Sequence, residues 1–409
     1  MTSTRLTTPP QEKKSSFKLG QALTIVSGHF VHDTYSAFVA PLLPLIIEKF
    51  TLTLAQATRL TALIQLPSIL NPLIGYAADK ISLRYFIIFA PATTATLIGV
   101  MGLAPNYLSL SFLFLLIGFS TAAFHAPAPA MIARISGKRI GMGMSLFMAA
   151  GELGRTLGPI IAISAVAAWK LDGIYRLIVI GWASSFVLLW RFSKVSSKAH
   201  LKKPGSLRAL IPTIRLFWLP LLVITIARSF LTASITTLLP TFLKGEGATL
   251  AMAGISLAIL EAAGVVGALV SGTISDQIGR KPALLVLFSA SAILLFVFLG
   301  TQGWFMYPVL LLLGFASLAP QPVLLALVQD QFAQNRATAN GFYMSMSFLV
   351  RFVALNLLGL AGDAWGLRIT FSISGIISLI AIPAILMLPK LSKPNESDED
   401  MGKVGEGLE

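Results

Sequence analysis

The chain has 409 residues, of which 55% are hydrophobic and only 12% charged, and its mean hydropathy is +0.80. A water-soluble domain of this composition would expose large apolar patches, so the sequence excludes a soluble globular protein and predicts one embedded in lipid. The net charge of +14 would suggest nucleic acid in a soluble chain, but no basic-aromatic stripe occupies a polar segment, and no nucleic-acid partner is expected.

Residues 1–19, with Pro9-Pro10 and Lys13-Lys14, read as a disordered basic tail. No charged leader with a short apolar core and a small-residue cleavage site opens the chain. The first apolar run carries His29, His32 and Asp33 and is long enough to span a bilayer, which takes roughly 20 residues. Apolar runs punctuated by Gly, Pro and charge predict helices at Gln21–Ile47, Leu54–Ala78, Tyr85–Leu103, Leu108–Ala133, Gly141–Ala168 and Gly173–Phe192. A polar basic stretch at 194–215 interrupts the pattern and reads as a linker between a bundle at 20–193 and a second at 216–390. The second set is predicted at Leu216–Leu243, Ala248–Ile274, Ala283–Leu299, Trp304–Leu327, Thr338–Leu360 and Leu367–Leu388, followed by an acidic disordered tail at 391–409. The expected fold is therefore an all-α polytopic membrane protein with 12 transmembrane helices in two pseudo-symmetric six-helix bundles.

With the N-terminus placed in the cytoplasm, about 22 of the 31 Lys and Arg fall in tails and inward loops, about 6 in outward loops and about 3 inside helices. Both termini are thus expected in the cytoplasm, with the protein in the cell (inner) membrane. The absence of Cys excludes disulfides, thiolate metal sites and a cysteine nucleophile, and no metal or cofactor is expected.

An internal repeat is visible. Gly75-Tyr-Ala-Ala-Asp79-Lys-Ile81 lines up with Gly272-Thr-Ile-Ser-Asp276-Gln-Ile278, Gly118-Phe119 with Gly314-Phe315, Pro44 with Pro240 and His125 with Gln321. Gly272-x-x-x-Asp276-x-x-Gly279-Arg280-Lys281 resembles the loop signature of the major facilitator superfamily, and Gly75 to Arg84 resembles a degraded first copy in which Ser82 and Leu83 replace Gly and Arg. Ser27-Gly-His29-Phe-Val-His32-Asp33, Phe124-His125-Ala-Pro127 and Gly151-Glu152-Leu-Gly154-Arg155-Thr-Leu-Gly158-Pro159 resemble the fosmidomycin-resistance-like efflux proteins of that superfamily. The resemblance implies the major facilitator fold, a monomer, a small-molecule substrate, and a central cavity lined by helices one, four, seven and ten.

In the loop signature a glycine permits a tight turn, and an aspartate can pair with arginine across the membrane surface. Arg134, Lys138 and Arg139 are candidate partners for Asp79, and Arg336 for Asp276. Gly151, Gly154 and Gly158 at helical spacing let backbones approach closely, and Pro159 bends the helix behind them. This stretch resembles the antiporter motif of the superfamily, except that Ile161 and Ala162 replace the expected glycine pair.

Six ionisable residues lie inside apolar helices near one depth: Asp33, Glu152, Arg155, Arg228, Glu261 and Arg351. Each costs roughly 2.5 to 3.5 kcal/mol at the bilayer centre, so function or pairing must retain them. Asp33 is the first choice for proton coupling, with His29 sharing the load at i, i+4 and Glu261 as a second carboxylate. Glu152 can pair with Arg155, and Glu261 with Arg351; Asp33 and Arg228 would then face each other unpaired across the halves. Arginines at this depth suit an anionic or phosphonate-like substrate. His125 and Gln321, next to Pro127, Pro129, Pro320 and Pro322, would sit where helices four and ten flex.

These readings predict a secondary transporter working by alternating access, in which protonation competes with cargo and drives export. No phosphate loop for ATP and no motif for covalent chemistry is present, so no enzyme is expected. A proton symporter importing a sugar, organic acid or phosphate ester, and a non-transporting membrane receptor, are the alternatives.

Overall fold

The computed structural model describes residues 17–137, 139–193, 214–332 and 335–389. Most of the predicted N-terminal tail and linker and all of the predicted C-terminal tail lie outside the described residues, as do Lys138, the surroundings of Gly75 and the side chains of Asp79 and Arg336. No strand occurs among the described residues. Among the described residues, ten stretches are both long and apolar enough to cross a membrane. They give α1 (Leu19–Phe50), α3 (Arg84–Leu103), α4 (Tyr107–Ser136), α5 (Ile140–Trp169), α6 (Leu171–Phe192), α7 (Leu216–Gly245), α8 (Leu250–Ile278), α9 (Arg280–Gly300), α10 (Gly303–Gln331) and the long run Thr338–Met387.

The two remaining helices of a twelve-helix fold have identifiable reasons for missing that count. α2 (54–80) is assembled from Leu54–Gln65, a tight turn at Leu66–Leu70 and Asn71–Lys80, and it carries Gln56, Arg59, Gln65 and Asn71, which lower its apolar average. The last run is divided at Gly366, whose φ of 78° and ψ of 162° no helix contains, into α11 (336–365) and α12 (367–387). The described residues thus form twelve spanning helices, and an even number of antiparallel spans places both ends of the described chain at one end of the molecule. That end is the terminal end below, and its opposite is the distal end.

Polar residues set where helices begin at the distal end. The Thr53 hydroxyl accepts from the Gln56 N–H while the Gln56 side chain accepts from the Thr53 N–H, and Thr249 accepts from the Met252 N–H at the matching start of α8. At mid-depth the helices that carry prolines or hydroxyls break. α1 divides after Ser36, α4 between His125 and Ala128, and α10 between Leu318 and Pro320, while α7 widens into a π-helical turn over Ser234–Leu238.

The halves repeat one packing pattern. Gly118 of α4 rests on the Ile64 carbonyl of α2, and Gly314 of α10 rests on the Leu260 carbonyl of α8, the same contact in each bundle. The apolar core is not divided evenly between them. One cluster joins Leu43, Ala57 and Ala62 of the first half to Leu231, Leu238, Leu239, Leu310 and Leu355 of the second, at the distal end. At the terminal end each half has its own cluster, one around Ile25, Phe124 and Phe192, the other around Phe217, Leu284 and Tyr343. The bundles are thus sealed together distally and hold separate cores near the termini. A molecule of this length, hydropathy and helix count is a multi-pass membrane protein.

Candidate functional site

α1 presents His29 and Asp33 on one face, one helical turn apart, with His29 Nε2 3.3 Å from Asp33 Oδ2. The other carboxylate oxygen, Oδ1, lies 3.3 Å from Nε2 of His125, which α4 brings in just before its break. Each imidazole is oriented from behind. His29 Nδ1–H donates to the Phe147 carbonyl of α5 at 2.7 Å, and His125 Nδ1–H donates to the Thr121 carbonyl at 3.0 Å. The His29 ring stacks on Phe147 with centroids 3.9 Å apart. The carboxyl of Asp33 is 8% exposed and His29 4%, whereas His125 is 35% exposed, so His125 is the member that meets solvent.

α5 lies close enough to form the back wall because of its glycines. A Cβ on Gly151 would fall 2.6 Å from His29 Nε2 and 2.9 Å from Asp33 Oδ2. Gly154 meets the Phe30 carbonyl and the Thr34 N–H, and Gly158 meets Ala37, ahead of Pro159. Glu152 and Arg155, on the same helix, form an ion pair. Arg155 also interacts electrostatically with Asp33, His125 and Glu261, and with Arg228 and Arg351 of the second half, which makes it the hub of the site.

Two expectations, a Glu261–Arg351 pair and an unpaired Asp33 facing Arg228, are replaced. Arg351 does not form an ion pair with Glu261; its guanidinium donates to the hydroxyls of Thr232, Thr236 and Thr237 at 3.4, 3.0 and 3.3 Å. The widened turn of α7 places Thr236 and Thr237 within reach together, which a regular helix pattern does not show. Asp33 is not left facing Arg228, because His29 and His125 occupy both its oxygens. Arg228 keeps a buried Nε without a partner and interacts electrostatically with Tyr343. Tyr343 donates to the Gln321 carbonyl oxygen at 3.4 Å, which puts Gln321 beside this arginine rather than beside the histidines.

At the terminal end the described loop residues pair locally. Asp276 pairs with Arg280 at 2.5 Å, one turn on and beyond the Gly279 turn (φ 96°), and Arg280 binds Asp330 of α10 at 3.0 Å and the Ser275 hydroxyl at 2.6 Å. This cluster ties α8, α9 and α10 within one bundle, while the expected partner Arg336 has its side chain outside the described residues. Gly272 faces open space. Arg84 lies over the Tyr85 ring at 4.9 Å, and Arg134 and Arg139 are exposed.

Sequence reasoning missed three features. His32 is fully buried and contacts Thr94 at 3.1 Å, which contacts Ser120 at 2.8 Å, a polar chain across α1, α3 and α4 that no spacing announces. Asp330 carries no motif. Asp363 of α11 accepts from the backbone N–H groups of Leu54 and Ala55 at 2.7 and 2.9 Å, capping α2 of the other half. Its signal is a repeat mismatch, since the position corresponding to Asp363-Ala-Trp365 reads Ala167-Ala-Trp169. His29, Asp33 and His125 offer the one group of metal-type ligand atoms among the described residues, within 4.8 Å of one another. Each carboxylate oxygen there already faces an imidazole, and the group is read as two carboxylate-imidazole pairs.

A sequence profile of the Major Facilitator Superfamily matches residues 25–355. The chain is 24% identical over 387 residues to the Fosmidomycin resistance protein of Escherichia coli (strain K12), covering 91% of this chain and 93% of that one. In fold it is similar to a bacterial homolog of the human lysosomal transporter Spinster in an inward-facing and occupied conformation, at TM-score 0.76 and 14% identity, covering 91% of this chain and 96% of that one. It is likewise similar to a mutant of the nucleoside transporter NupG, at TM-score 0.75 and 14% identity, covering 90% and 100%.

Proposed function

Because this chain belongs to the Major Facilitator Superfamily, a family of transporters rather than enzymes, we propose that it is a proton-coupled exporter of an anionic small molecule. The observation that carries the reading is Asp33, buried in lipid-embedded helices yet connected to solvent through the half-exposed His125. A buried carboxylate with an imidazole facing each oxygen supplies groups that can accept and release protons inside the membrane. Arg155, which interacts electrostatically with Asp33, also interacts with Glu261, Arg228 and Arg351 of the other half, which supports passage of a change at Asp33 to a cargo site there.

Arg351, held by neutral hydroxyls, and Arg228, without a carboxylate partner, keep their positive charge available, which suits a carboxylate, phosphate or phosphonate cargo. Likeness to a fosmidomycin resistance protein supports export and makes fosmidomycin, a phosphonate, the first cargo to try. The shared distal core and separate terminal-end cores fit one state of an alternating-access cycle, open toward the termini. With the termini in the cytoplasm, as the basic loops favour, that is the cargo-loading state in the cell membrane. Proton flow alone drives the cycle, with no bound cofactor and with a monomer as the working unit; a 100 mV potential contributes about 2.3 kcal/mol per proton.

Expression in an efflux-deficient host tests the reading. Growth on fosmidomycin and lower intracellular accumulation of it are expected, and both are lost in Asp33→Asn at equal membrane abundance. Greater accumulation in expressing cells would mark an importer instead.

A further inference from the structure

Both imidazoles beside Asp33 are locked in the same tautomer. A backbone carbonyl can only accept, so the 2.7 Å contact of His29 Nδ1 with Phe147 and the 3.0 Å contact of His125 Nδ1 with Thr121 keep a proton on each Nδ1. The exchangeable position on each ring is therefore Nε2. Each Nε2 faces a different oxygen of the same carboxylate, at 3.3 Å in both cases. With neutral rings these are contacts between acceptors, lone pair against lone pair, and His29 Nε2 and Asp33 Oδ1 are buried without hydrogen-bond partners. A proton on either Nε2 turns its contact into a charge-assisted hydrogen bond, and the second proton does not compete with the first because it uses the other oxygen.

We propose that Asp33 is the centre of a two-proton site, loading one proton on Nε2 of His29 and one on Nε2 of His125. The proposal deepens the proton-coupled reading above and rests on it for its role in transport. Loading takes the group from one net negative charge, with both rings neutral, to one net positive charge, with both protonated. The charged and titratable groups that face it are His32 on its own helix, His125 on α4, and Arg155 with its partner Glu152 on α5, with Glu261 of α8 reached through Arg155. The charged residues of α3 and α6 lie at their ends, at Arg84, Asp172, Arg176 and Arg191. Arg155 is consequently attracted by the empty site and repelled by the full one, so the two-proton swing acts on a side chain that interacts with both halves. Exposure orders the steps: the half-exposed His125 exchanges with solvent first, and His29, behind it, fills through the carboxylate.

The sequence contains four histidines, His29, His32, His125 and His200, which makes ring nitrogens countable. The full chain, labelled with 15N-histidine in lipid nanodiscs, is followed by NMR across a pH series, with His32→Gln and His200→Gln used for assignment. The expected result is that His29 and His125 both pass from the neutral Nδ1–H tautomer to imidazolium, and that in Asp33→Asn both rings stay neutral at a pH that loads the native chain. Loading of only one of the two rings, or an Nε2–H neutral tautomer on either, overturns the proposal, and the native spectrum alone decides this even if the variant fails to fold. If both rings load but a pH gradient moves no fosmidomycin, the exporter reading fails and the two-proton site stands. If the gradient drives transport with one loading ring, this proposal fails alone.

Discussion

At the residue scale, Gly151 shows how little freedom the site leaves. A methyl there would meet His29 and Asp33 well inside van der Waals contact, so Gly151→Ala should displace the carboxylate-imidazole pairs at a cost of about 1–3 kcal/mol of overpacking. The expected outcome is loss of fosmidomycin export with protein still in the membrane. Gly141→Ala, on the same helix but facing open space, should leave export unchanged. Arg351→Lys should also impair export while the protein inserts normally, because an ammonium cannot span three threonine hydroxyls and a cargo anion as a planar guanidinium can; growth on fosmidomycin and membrane abundance read the two effects separately. What the sequence revealed at this scale follows the reach of local spacing. His29 with Asp33 and Glu152 with Arg155 are one turn apart and legible. His125, which completes the Asp33 pair, and the threonines that hold Arg351 lie far away in sequence and were placed by tertiary packing, so the sequence pointed to a Glu261 partner and an unpaired Asp33 that the structure does not have.

At the element scale, helix ends and helix breaks carry the moving parts. α2 begins with four unpaired N–H groups, as any helix does, and Asp363 from the opposite bundle accepts from two of them. Gly359 and Gly362 let α11 approach Leu54, Ala55 and Thr58 closely enough for this. The cap joins the two bundles at the distal end, so a distal opening would have to break it, and Asp363→Ala should destabilise the distally closed state by about 1 kcal/mol, roughly a fivefold shift toward distal opening. Because the chain has no Cys, a single Ala55→Cys reporter is free of background, and its faster labelling by a membrane-impermeant thiol reagent in Asp363→Ala would register the shift. Unchanged labelling would mean that the cap holds nothing shut. Hydropathy located most helices because each needs an apolar run of membrane length. It could not show that α2 is three segments, that α7 widens at Ser234–Leu238, or that Gly366 divides the last long run, since these depend on backbone geometry. The prolines that predicted loosened helices four and ten do lie at the observed breaks.

At the scale of the whole molecule, the repeat is a repeat of architecture with its charges exchanged. Lys49 of α1 pairs with Asp172 at the start of α6 and donates to the Gly102 carbonyl at 2.6 Å. At the corresponding place in the second half, Glu246 pairs with Arg368 at 2.7 Å, and Arg368 donates to the Leu299 carbonyl at 2.7 Å. Exposed pairs of this kind contribute about 0–1 kcal/mol each, so they brace the distal rim of each bundle without fixing the bundles to one another. Attachment between bundles comes from the shared distal core and the Asp363 cap, both of which rigid-body rocking would open together. The same division appears in the polar groups at mid-depth: buried His29, His32 and Asp33 in the first half, Arg228 and Arg351 without carboxylate partners in the second, and the more exposed Arg155 interacting with both. On the proposed reading, proton and cargo would be handled by different bundles, with Arg155 linking them. The direct measurement is made in energised inverted membrane vesicles that carry a pH gradient. Adding fosmidomycin should dissipate that gradient with the native chain, and should leave it intact with Asp33→Asn at equal abundance; uptake of fosmidomycin by the native vesicles with no movement of protons would contradict the account.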